Sequence, residues 1–248
     1  MMLAATIFAV AIAGTEPPTS SFALRGKTLD LHLYGKRGGP PVVLVSGDGG
    51  WMHLAPETAP ILAEKGHFVV GLSAKQYLSA FTSSQGTLSA ADVQRDFKSL
   101  VDYAAQGAAA KPILIGISEG AGLAVLAAVD PAVKASVGGV VGLGMSDENE
   151  LGWRLRDSII YLTHGAPKEP TFSVLEIVDR LAPLPLAELH STHDEYVPVE
   201  EARRVFDKAG VPKRMWVIEA EDHRFSGKAE EFSQRLLEAM DWVAKASR

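Results

Sequence analysis

Cysteine is absent from the 248 residues of the chain. This absence excludes disulfides, thiolate metal sites and a lipidated N-terminal cysteine, although it leaves the cellular compartment open. Positive charge is scarce as well, because 24 Lys and Arg stand against 30 Asp and Glu, for a formal net charge of −6. No run of Lys and Arg supplies the basic stripe that binding to nucleic acid requires. Nucleic acid is therefore not an expected partner.

A long hydrophobic run is also lacking, since the apolar stretch from Leu3 to Ala13 is shorter than a membrane span, which needs about 20 residues. The stretch ends in an A-x-A sequence ahead of Gly14, as a secretory signal peptide does. A basic segment does not precede it, because the first Lys or Arg is Arg25. A misplaced start codon and an ordinary apolar tail are the alternatives. We expect residues 1–13 to be a signal peptide, residues 14–21 a linker, and the protein to be periplasmic or secreted, with a cytoplasmic location as the alternative.

The composition is that of one globular domain, residues 22–248, with 47% hydrophobic and 22% charged residues and no internal repeats. A hairpin over Phe22 to Leu33 is predicted at the sheet edge. The predicted buried strands are Pro41 to Val45, Phe68 to Leu72, Pro112 to Ile115, Ala135 to Leu143, Leu184 to Leu189 and Met215 to Ile218. Helix signals alternate with them, so we predict a mostly parallel α/β sheet covered on both faces. Residues 146–183 are too long for a simple connection and are predicted to form a helical insertion that caps the site.

The strongest motif is Gly116-Ile-Ser-Glu-Gly120, which falls between a predicted strand and a predicted helix. It has the G-x-S-x-G pattern of a nucleophile elbow, in which the glycines make room for a sharp turn that lifts the serine above the sheet. The helix N-terminus beside it favours developing negative charge. Ser118 is therefore the candidate nucleophile.

A serine nucleophile needs a base and an acid, and proteins with this elbow carry them in the order Ser, Asp or Glu, His. Of the seven histidines, only His223 follows the strand that should carry the acid, and it lies between the last strand and the last helix. Asp194 fits as the acid, because it follows its strand at the edge where ligands bind in such sheets. Glu195 is the alternative acid. His190 and His193 have the spacing of a metal pair, but a third ligand at suitable spacing is missing.

The stretch Ser46-Gly-Asp-Gly-Gly-Trp51 forms a glycine-rich turn after the first buried strand. Its backbone can approach a ligand closely and direct N–H groups at it, so Gly49 and Trp51 are candidate substrate-binding residues. Phosphate binding is the rival interpretation, but neither a P-loop nor a dinucleotide-binding pattern is present. We expect no cofactor and no metal.

These residues resemble the α/β-hydrolase fold over nearly all of the chain after the linker. More specifically, the segments Val43 to Trp51, Val69 to Gly71 and Tyr77 to Phe81 are similar to the VirJ/AcvB family of bacterial virulence-associated hydrolases. The resemblance implies export to the periplasm and hydrolysis of aminoacylated phosphatidylglycerol, such as the lysyl lipid, at or near a membrane surface. It also implies that Ser118, Asp194 and His223 form a catalytic triad.

The resemblance further implies that the backbone N–H groups of Asp48 and Glu119 stabilise the oxyanion. Acidic residues gather at the expected mouth of the site. Asp48 follows the first buried strand, Glu119 follows the candidate nucleophile, and Asp147, Glu148 and Glu150 follow the next strand. They would suit a cationic ester, although Glu119 could equally satisfy a helix N-terminus and the others could be solvated. A small-molecule or lipid ester is the expected ligand, and the oligomeric state stays open. A generic carboxylesterase or thioesterase and a non-catalytic partner of a secretion system are the alternative functions.

Overall fold

The computed structural model describes residues 19–154 and 169–247. In chain order the strands are β1 (Thr19–Leu24), β2 (Lys27–Tyr34), β3 (Pro41–Val45), β4 (Phe68–Leu72), β5 (Ile113–Ile117), β6 (Gly139–Leu143), β7 (Glu148–Glu150), β8 (Thr171–Ser173), β9 (Leu186–Ser191) and β10 (Lys213–Ile218). Eight of them form one sheet in the order β1-β2-β4-β3-β5-β6-β9-β10. Pairing is antiparallel from β1 through β2 to β4 and parallel across the rest. The predicted mostly parallel sheet is confirmed.

The predicted edge hairpin is present, and it is longer than expected at its N-terminal side. Strand β1 begins at Thr19, so the last residues of the stretch expected as a linker pair with β2. Arg25 and Gly26 form the turn with φ of 46° and 77°. Positive φ at both central residues is typical of the tight turns that match strand twist.

The helices are α1 (Leu54–Glu64), α2 (Ala74–Ala80), α3 (Ala90–Ala105), α4 (Glu119–Ala128), α5 (Pro131–Ser136), α6 (Val199–Lys208) and α7 (Ala229–Ala246). The predicted capping box opens α3, because Ser89 and Asp92 exchange side-chain and backbone hydrogen bonds. The strand predicted over Ala135 to Leu143 was too long, since α5 occupies its beginning. Asp130 caps α5 by accepting from Ala132 N and Val133 N. No helix of the described residues is long and apolar enough to cross a bilayer.

Two hydrophobic cores lie on opposite faces of the sheet, as successive residues of its strands show. Val43 and Val45 pack in the core that contains α3 and α4, whereas Val42 and Leu44 pack in the core that contains α1 and α7. Alternate side chains of a strand point to opposite faces, so a strand buried on both sides must be apolar throughout. The continuous apolar runs of the sequence therefore reflect the packing of helices on both faces of the sheet.

The flanks of the predicted insertion form strands rather than helices. Strands β7 and β8 pair antiparallel in a separate two-stranded sheet, and a 3-10 helix covers Val178–Leu181. Residues 155–168 of the insertion, like the predicted signal peptide, lie outside the described residues. The buried Asn149 of β7 packs against α4, where a Cβ on Gly122 would lie 2.2 Å from Asn149 Cγ. The hairpin is thus seated on the helix that follows the candidate nucleophile.

Candidate active site

Ser118 lies at a sharp turn between β5 and α4, with φ of 51° and ψ of −118°. Glycines on both sides make the turn sterically feasible. A Cβ on Gly116 would lie 2.2 Å from Gly120 O, and one on Gly120 would lie 2.5 Å from Ser46 O. Any side chain at either position would collide with backbone, so the G-x-S-x-G pattern is imposed by geometry. This is the backbone conformation that the motif predicted.

The turn places Ser118 beside the glycine-rich loop and the end of β6. A Cβ on Gly47 would lie 3.5 Å from the Ser118 Cβ. The Ser118 N–H donates to Leu143 O at 2.9 Å, so it is already used by the backbone. Glu119 is the first residue of α4, where N–H groups have no partner within the helix. Its amide is therefore a suitable donor to an oxyanion formed at Ser118.

Asp194 and His223 are joined by a short hydrogen bond, in which His223 Nδ1 lies 2.6 Å from Asp194 Oδ2. The other carboxylate oxygen of Asp194 accepts from Tyr196 N at 3.0 Å and from Val197 N at 2.8 Å. Burial disfavours the ionised form of Asp194. The hydrogen bond and charge of His223 and the two backbone donors outweigh burial and hold the pKa of Asp194 below its ordinary value. Asp194 is thus a buried, ionised orienter of His223.

Glu195, the alternative acid, has a different contact. It is exposed, and its Oε2 accepts from the backbone N of His223 at 2.8 Å. Asp194 therefore fixes the ring of His223, while Glu195 fixes the backbone of its loop. The sequence offered no signal for this second contact, because it depends on how two loops meet in space.

Gly144, which the sequence interpretation did not single out, brings His223 close to the elbow. It follows β6 with φ of 65°, and a Cβ there would lie 2.6 Å from His223 Cε1. Only glycine leaves space for the ring at this position. The preceding residue, Leu143, accepts the N–H of Ser118. Adjacent residues at the end of β6 therefore contact Ser118 and His223. A lone glycine directly after a buried strand was the available signal.

Asp48 lies half-buried in the glycine-rich loop, with the backbone N–H groups of Asp48 and Gly49 near its carboxyl. Burial raises the pKa of Asp48, while those N–H groups and the positive charges of His223 and Lys75 act in the opposite direction. The Asp48 N–H, predicted as an oxyanion donor, thus also approaches its own carboxyl. The shift reduces the ionised fraction of Asp48 at a given pH.

Trp51, predicted to bind substrate, packs on the sheet instead. Its ring stacks on His32 with centroids 4.3 Å apart, and a Cβ on Gly71 would lie 2.0 Å from Trp51 Cη2. The indole therefore anchors the glycine-rich loop to β2 and β4. Gly49 of the same loop is exposed, with Met52 Sδ 3.8 Å from where its Cβ would lie.

The acidic residues after β5 and β6 serve mainly to hold the insertion. Glu119 is buried, and its Oε1 accepts from Glu150 N at 2.8 Å. Asp147 accepts from Ser173 Oγ at 2.6 Å and from Leu175 N at 2.9 Å, while the exposed Glu148 accepts from Thr171 Oγ1 at 3.1 Å. One carboxylate oxygen of each of Asp147, Glu148 and Glu119 is therefore bonded to β7, β8 or the segment after β8.

The side chain of Glu119 lies in the first turn of α4, and its Oε1 is bonded to the backbone of β7 at Glu150 N. Burial, together with the charges of Asp48 and Glu150, raises the pKa of Glu119 well above its ordinary value. The Glu119 carboxyl is thus buried and bonded within the protein. Of the acidic side chains predicted at the mouth, Asp48 is half-buried and interacts with the charge of His223.

His190 and His193, considered as a metal pair, contact different backbone carbonyls. His190 Nε2 lies 2.9 Å from Val197 O, and His193 Nδ1 lies 2.9 Å from Ala220 O. His190 is fully buried and His193 is exposed. Within the described ranges there is no cluster of three or more side chains that could hold a metal ion.

The sheet order, the elbow and the position of His223 after the last strand define an α/β-hydrolase fold. The α/β-hydrolase GrgF from Penicillium sp. sh18 superposes with a TM-score of 0.70 at 14% identity, covering 92% of this chain and 99% of that one. Est1E from Butyrivibrio proteoclasticus gives 0.67 at 14% identity over 91% and 98% of the two chains. A membrane phospholipase A described as a novel bacterial virulence factor gives 0.65 at 14% identity over 92% and 87%.

Within this fold the chain belongs to the bacterial virulence protein (VirJ) family, whose sequence profile matches residues 41–243. The match covers the elbow, the acid segment and the base, and it agrees with the resemblance noted from the glycine-rich loop. No curated protein matches the chain significantly.

Proposed function

We propose that the protein is a serine ester hydrolase in which Ser118 is the nucleophile, His223 the general base and Asp194 the acid that orients it. The observation that carries the proposal is the 2.6 Å contact between Asp194 Oδ2 and His223 Nδ1. An ionised carboxylate only accepts, so His223 Nδ1 must be the donor. The lone pair of the neutral ring then lies on Nε2, the atom that must take the proton of Ser118.

In the proposed reaction, Ser118 Oγ attacks the ester carbonyl carbon while its proton passes to His223 Nε2. The oxyanion forms at the N-terminus of α4, where the amides of Glu119 and Asp48 can donate to it. Collapse of this intermediate expels the alcohol, which takes the proton from His223. Water then attacks the acyl-enzyme with His223 as base, and the acid is released as Ser118 Oγ regains its proton.

The substrate that we propose is an aminoacyl ester of phosphatidylglycerol, of which the lysyl ester is an example. The resemblance to the VirJ/AcvB family implies the lipid class, and the fold is shared with a protein named as a membrane phospholipase A. Asp48 supports the cationic part of the substrate. Its carboxyl lies close enough to His223 and Lys75 for their charges to favour its ionised form. A substrate ammonium group would also favour the ionised form of Asp48.

Labelling with a fluorophosphonate probe tests the nucleophile without knowledge of the substrate. We expect the wild type to be labelled at Ser118 and Ser118→Ala not to be labelled. Wild type that is folded but unlabelled would overturn the hydrolase proposal and favour a non-catalytic secretion partner.

Substrate charge is tested by comparing lysyl-phosphatidylglycerol with an uncharged acyl ester of similar size. Wild type should prefer the lysyl ester, and Asp48→Asn should reduce this preference about tenfold, as expected for loss of one charge-assisted contact. Glu148→Gln is the matched control, because Glu148 is an exposed carboxylate engaged with Thr171. Equal rates on both esters in wild type would point to a generic carboxylesterase or thioesterase instead.

A further inference from the structure

Two ionisable side chains on the strand that precedes Asp194 form a chain of contacts that ends at its carboxylate. Glu188 and His190 project from β9 and are fully buried, each with 0% exposure. Placing such groups inside a hydrophobic sheet is costly unless they are paired. The proposed hydrolytic steps use neither of them, so their presence calls for a separate explanation.

Both ring nitrogens of His190 face oxygen atoms. Nε2 lies 2.9 Å from Val197 O and 3.7 Å from Asp194 Oδ2, while Nδ1 lies 3.4 Å from Glu188 Oε1. Glu188 Oε1 also accepts from Met145 N at 3.0 Å. Glu188 Oε2 has no hydrogen-bond partner among the described residues. It packs against Gly142, where an added Cβ would lie only 2.1 Å from it.

This arrangement favours a ring with protons on both nitrogens. A carbonyl can only accept, so His190 Nε2 must carry a proton to bond to Val197 O. In a neutral ring, Nδ1 would then point a lone pair at the Glu188 carboxylate, which is repulsive. Burial opposes the charged ring, but the hydrogen bond and charge of Glu188, the Val197 carbonyl and the charge of Asp194 outweigh it and raise the pKa of His190.

We propose that Glu188 and His190 are positioning residues of the hydrolase, in which Glu188 holds His190 as an imidazolium whose charge keeps Asp194 ionised and directed at His223. The inference rests on the proposed function, since it presupposes that Asp194 and His223 serve Ser118. When His223 accepts the serine proton, the charges of Glu188, His190, Asp194 and His223 alternate in sign. The proton therefore stays on His223 rather than passing to Asp194.

The ionisable groups facing the two rings determine the expected effect on pH dependence. Glu188 and Asp194 act on His190, while Asp194 and Asp48 interact with His223. Removing the positive charge of His190 leaves Asp194 unscreened, so His223 holds its proton more strongly. The reactive, neutral form of His223 then appears only at higher pH.

The rate of fluorophosphonate labelling of Ser118 as a function of pH tests this inference. In His190→Gln and Glu188→Gln we expect the acidic limb of the profile to move up by about half to one pH unit. The side-chain amide introduced by His190→Gln can still donate to Val197 O, so the loop geometry is retained. His193→Gln is the matched control, because His193 is exposed and its ring contacts Thr192 Oγ1 and Ala220 O rather than Glu188 or Asp194. Its limb should not move.

Nitrogen NMR of the histidine rings provides a readout that does not depend on activity. In the wild type at neutral pH, both nitrogens of His190 should show the chemical shifts of protonated nitrogen. A His190 ring with one unprotonated nitrogen, or folded glutamine variants with an unmoved or lowered acidic limb, would overturn the positioning role. A wild type that fails to label would instead reject the proposed function, and with it the premise of this inference.

Discussion

At the scale of single residues, the site contains backbone strain that can be measured. Ser118 has φ of 51° and ψ of −118°, and His53, the N-cap of α1, has nearly the same angles, φ 53° and ψ −117°. Residues with side chains rarely adopt such angles, and each instance costs about 1–3 kcal/mol. The two positions share the conformation, but only Ser118 has a proposed role in the chemistry.

We predict that Ser118→Gly unfolds at a higher temperature than Ser118→Ala. Glycine relieves the strain but increases the entropy of the unfolded chain, which leaves a net difference of about 1 kcal/mol in the free energy of unfolding. Neither variant should react with a fluorophosphonate. His53→Gly and His53→Ala should differ in stability by a similar amount while both still label. Equal melting temperatures for the two Ser118 variants would show that the turn is not strained.

A second prediction concerns Glu119→Gln. The raised pKa of Glu119 means that the unfolded chain loses its proton first, so the free energy of unfolding of wild type should fall as pH rises above the ordinary value of 4.5. Glutamine keeps an acceptor for Glu150 N but has no charge to bury. The variant should therefore become increasingly more stable than wild type as pH rises, measured by urea unfolding at several pH values. A constant difference across pH would contradict the raised pKa of Glu119.

At the scale of secondary-structure elements, the edge hairpin is fastened to α3 by Arg25. Its guanidinium bonds Asp96 Oδ2 at 2.6 Å and Asp92 Oδ1 at 3.1 Å, and Asp96 also accepts from Tyr77 Oη at 2.9 Å. The Asp96 side chain is only 1% exposed, whereas that of Arg25 is 30% exposed. Removing the cation leaves a buried carboxylate without its charged donor.

We predict that Arg25→Gln lowers the free energy of unfolding by about 1–3 kcal/mol, measured by urea unfolding. Arg95→Gln is the control, because Arg95 pairs with the same capping residue Asp92 but its side chain is 63% exposed. Its effect should stay within about 0.5 kcal/mol. If Arg25→Gln proves as mild as the control, the hairpin is held by its apolar contacts alone.

The sequence predicted best those elements with a strong local signal, such as strands that must be apolar because both of their faces are buried. Strands β3 and β4 match their predicted bounds, and α3 begins at its predicted capping box. Strand β9 starts two residues later than predicted, because an apolar run continues through the preceding turn. The insertion was expected to be helical, yet its described flanks contain the short strands β7 and β8, which pair with each other. The two strands are about 20 residues apart in sequence, and local sequence patterns do not predict pairing over that distance.

The same distinction applies to the site. Ser118 was predictable because a local motif encodes its turn, and His223 was singled out by chain order. The contacts of Gly144 and Glu195 with His223, and the pair of Glu188 and His190 near Asp194, were not predicted. The contacts of Gly144 and Glu195 depend on loops that meet only in the folded sheet. Glu188 and His190 are two residues apart on β9, but the sequence does not show that their side chains face Asp194.

At the scale of the whole molecule, we propose that the protein acts in the periplasm, where an aminoacylated lipid headgroup could reach the site. The apolar run of residues 3–13 lies outside the described residues, so this proposal rests on the sequence pattern. Mass spectrometry of the native protein should find Gly14 as the first residue. Met1 retained on protein in the soluble cytoplasmic fraction would contradict export and weaken the lipid proposal.

The order of strands in the sheet has a consequence for when the site first exists. Ser118 follows β5 in the middle of the sheet, while Asp194 and His223 follow β9 and β10 at its far edge. Contacts between distant parts of a chain form late, because loop closure must precede them. A chain emerging N-terminus first from a ribosome carries its proposed nucleophile long before its proposed base. With these proposed roles, reactivity requires almost the entire chain, and we expect the return of probe reactivity on refolding to report docking of β10 rather than collapse of the core.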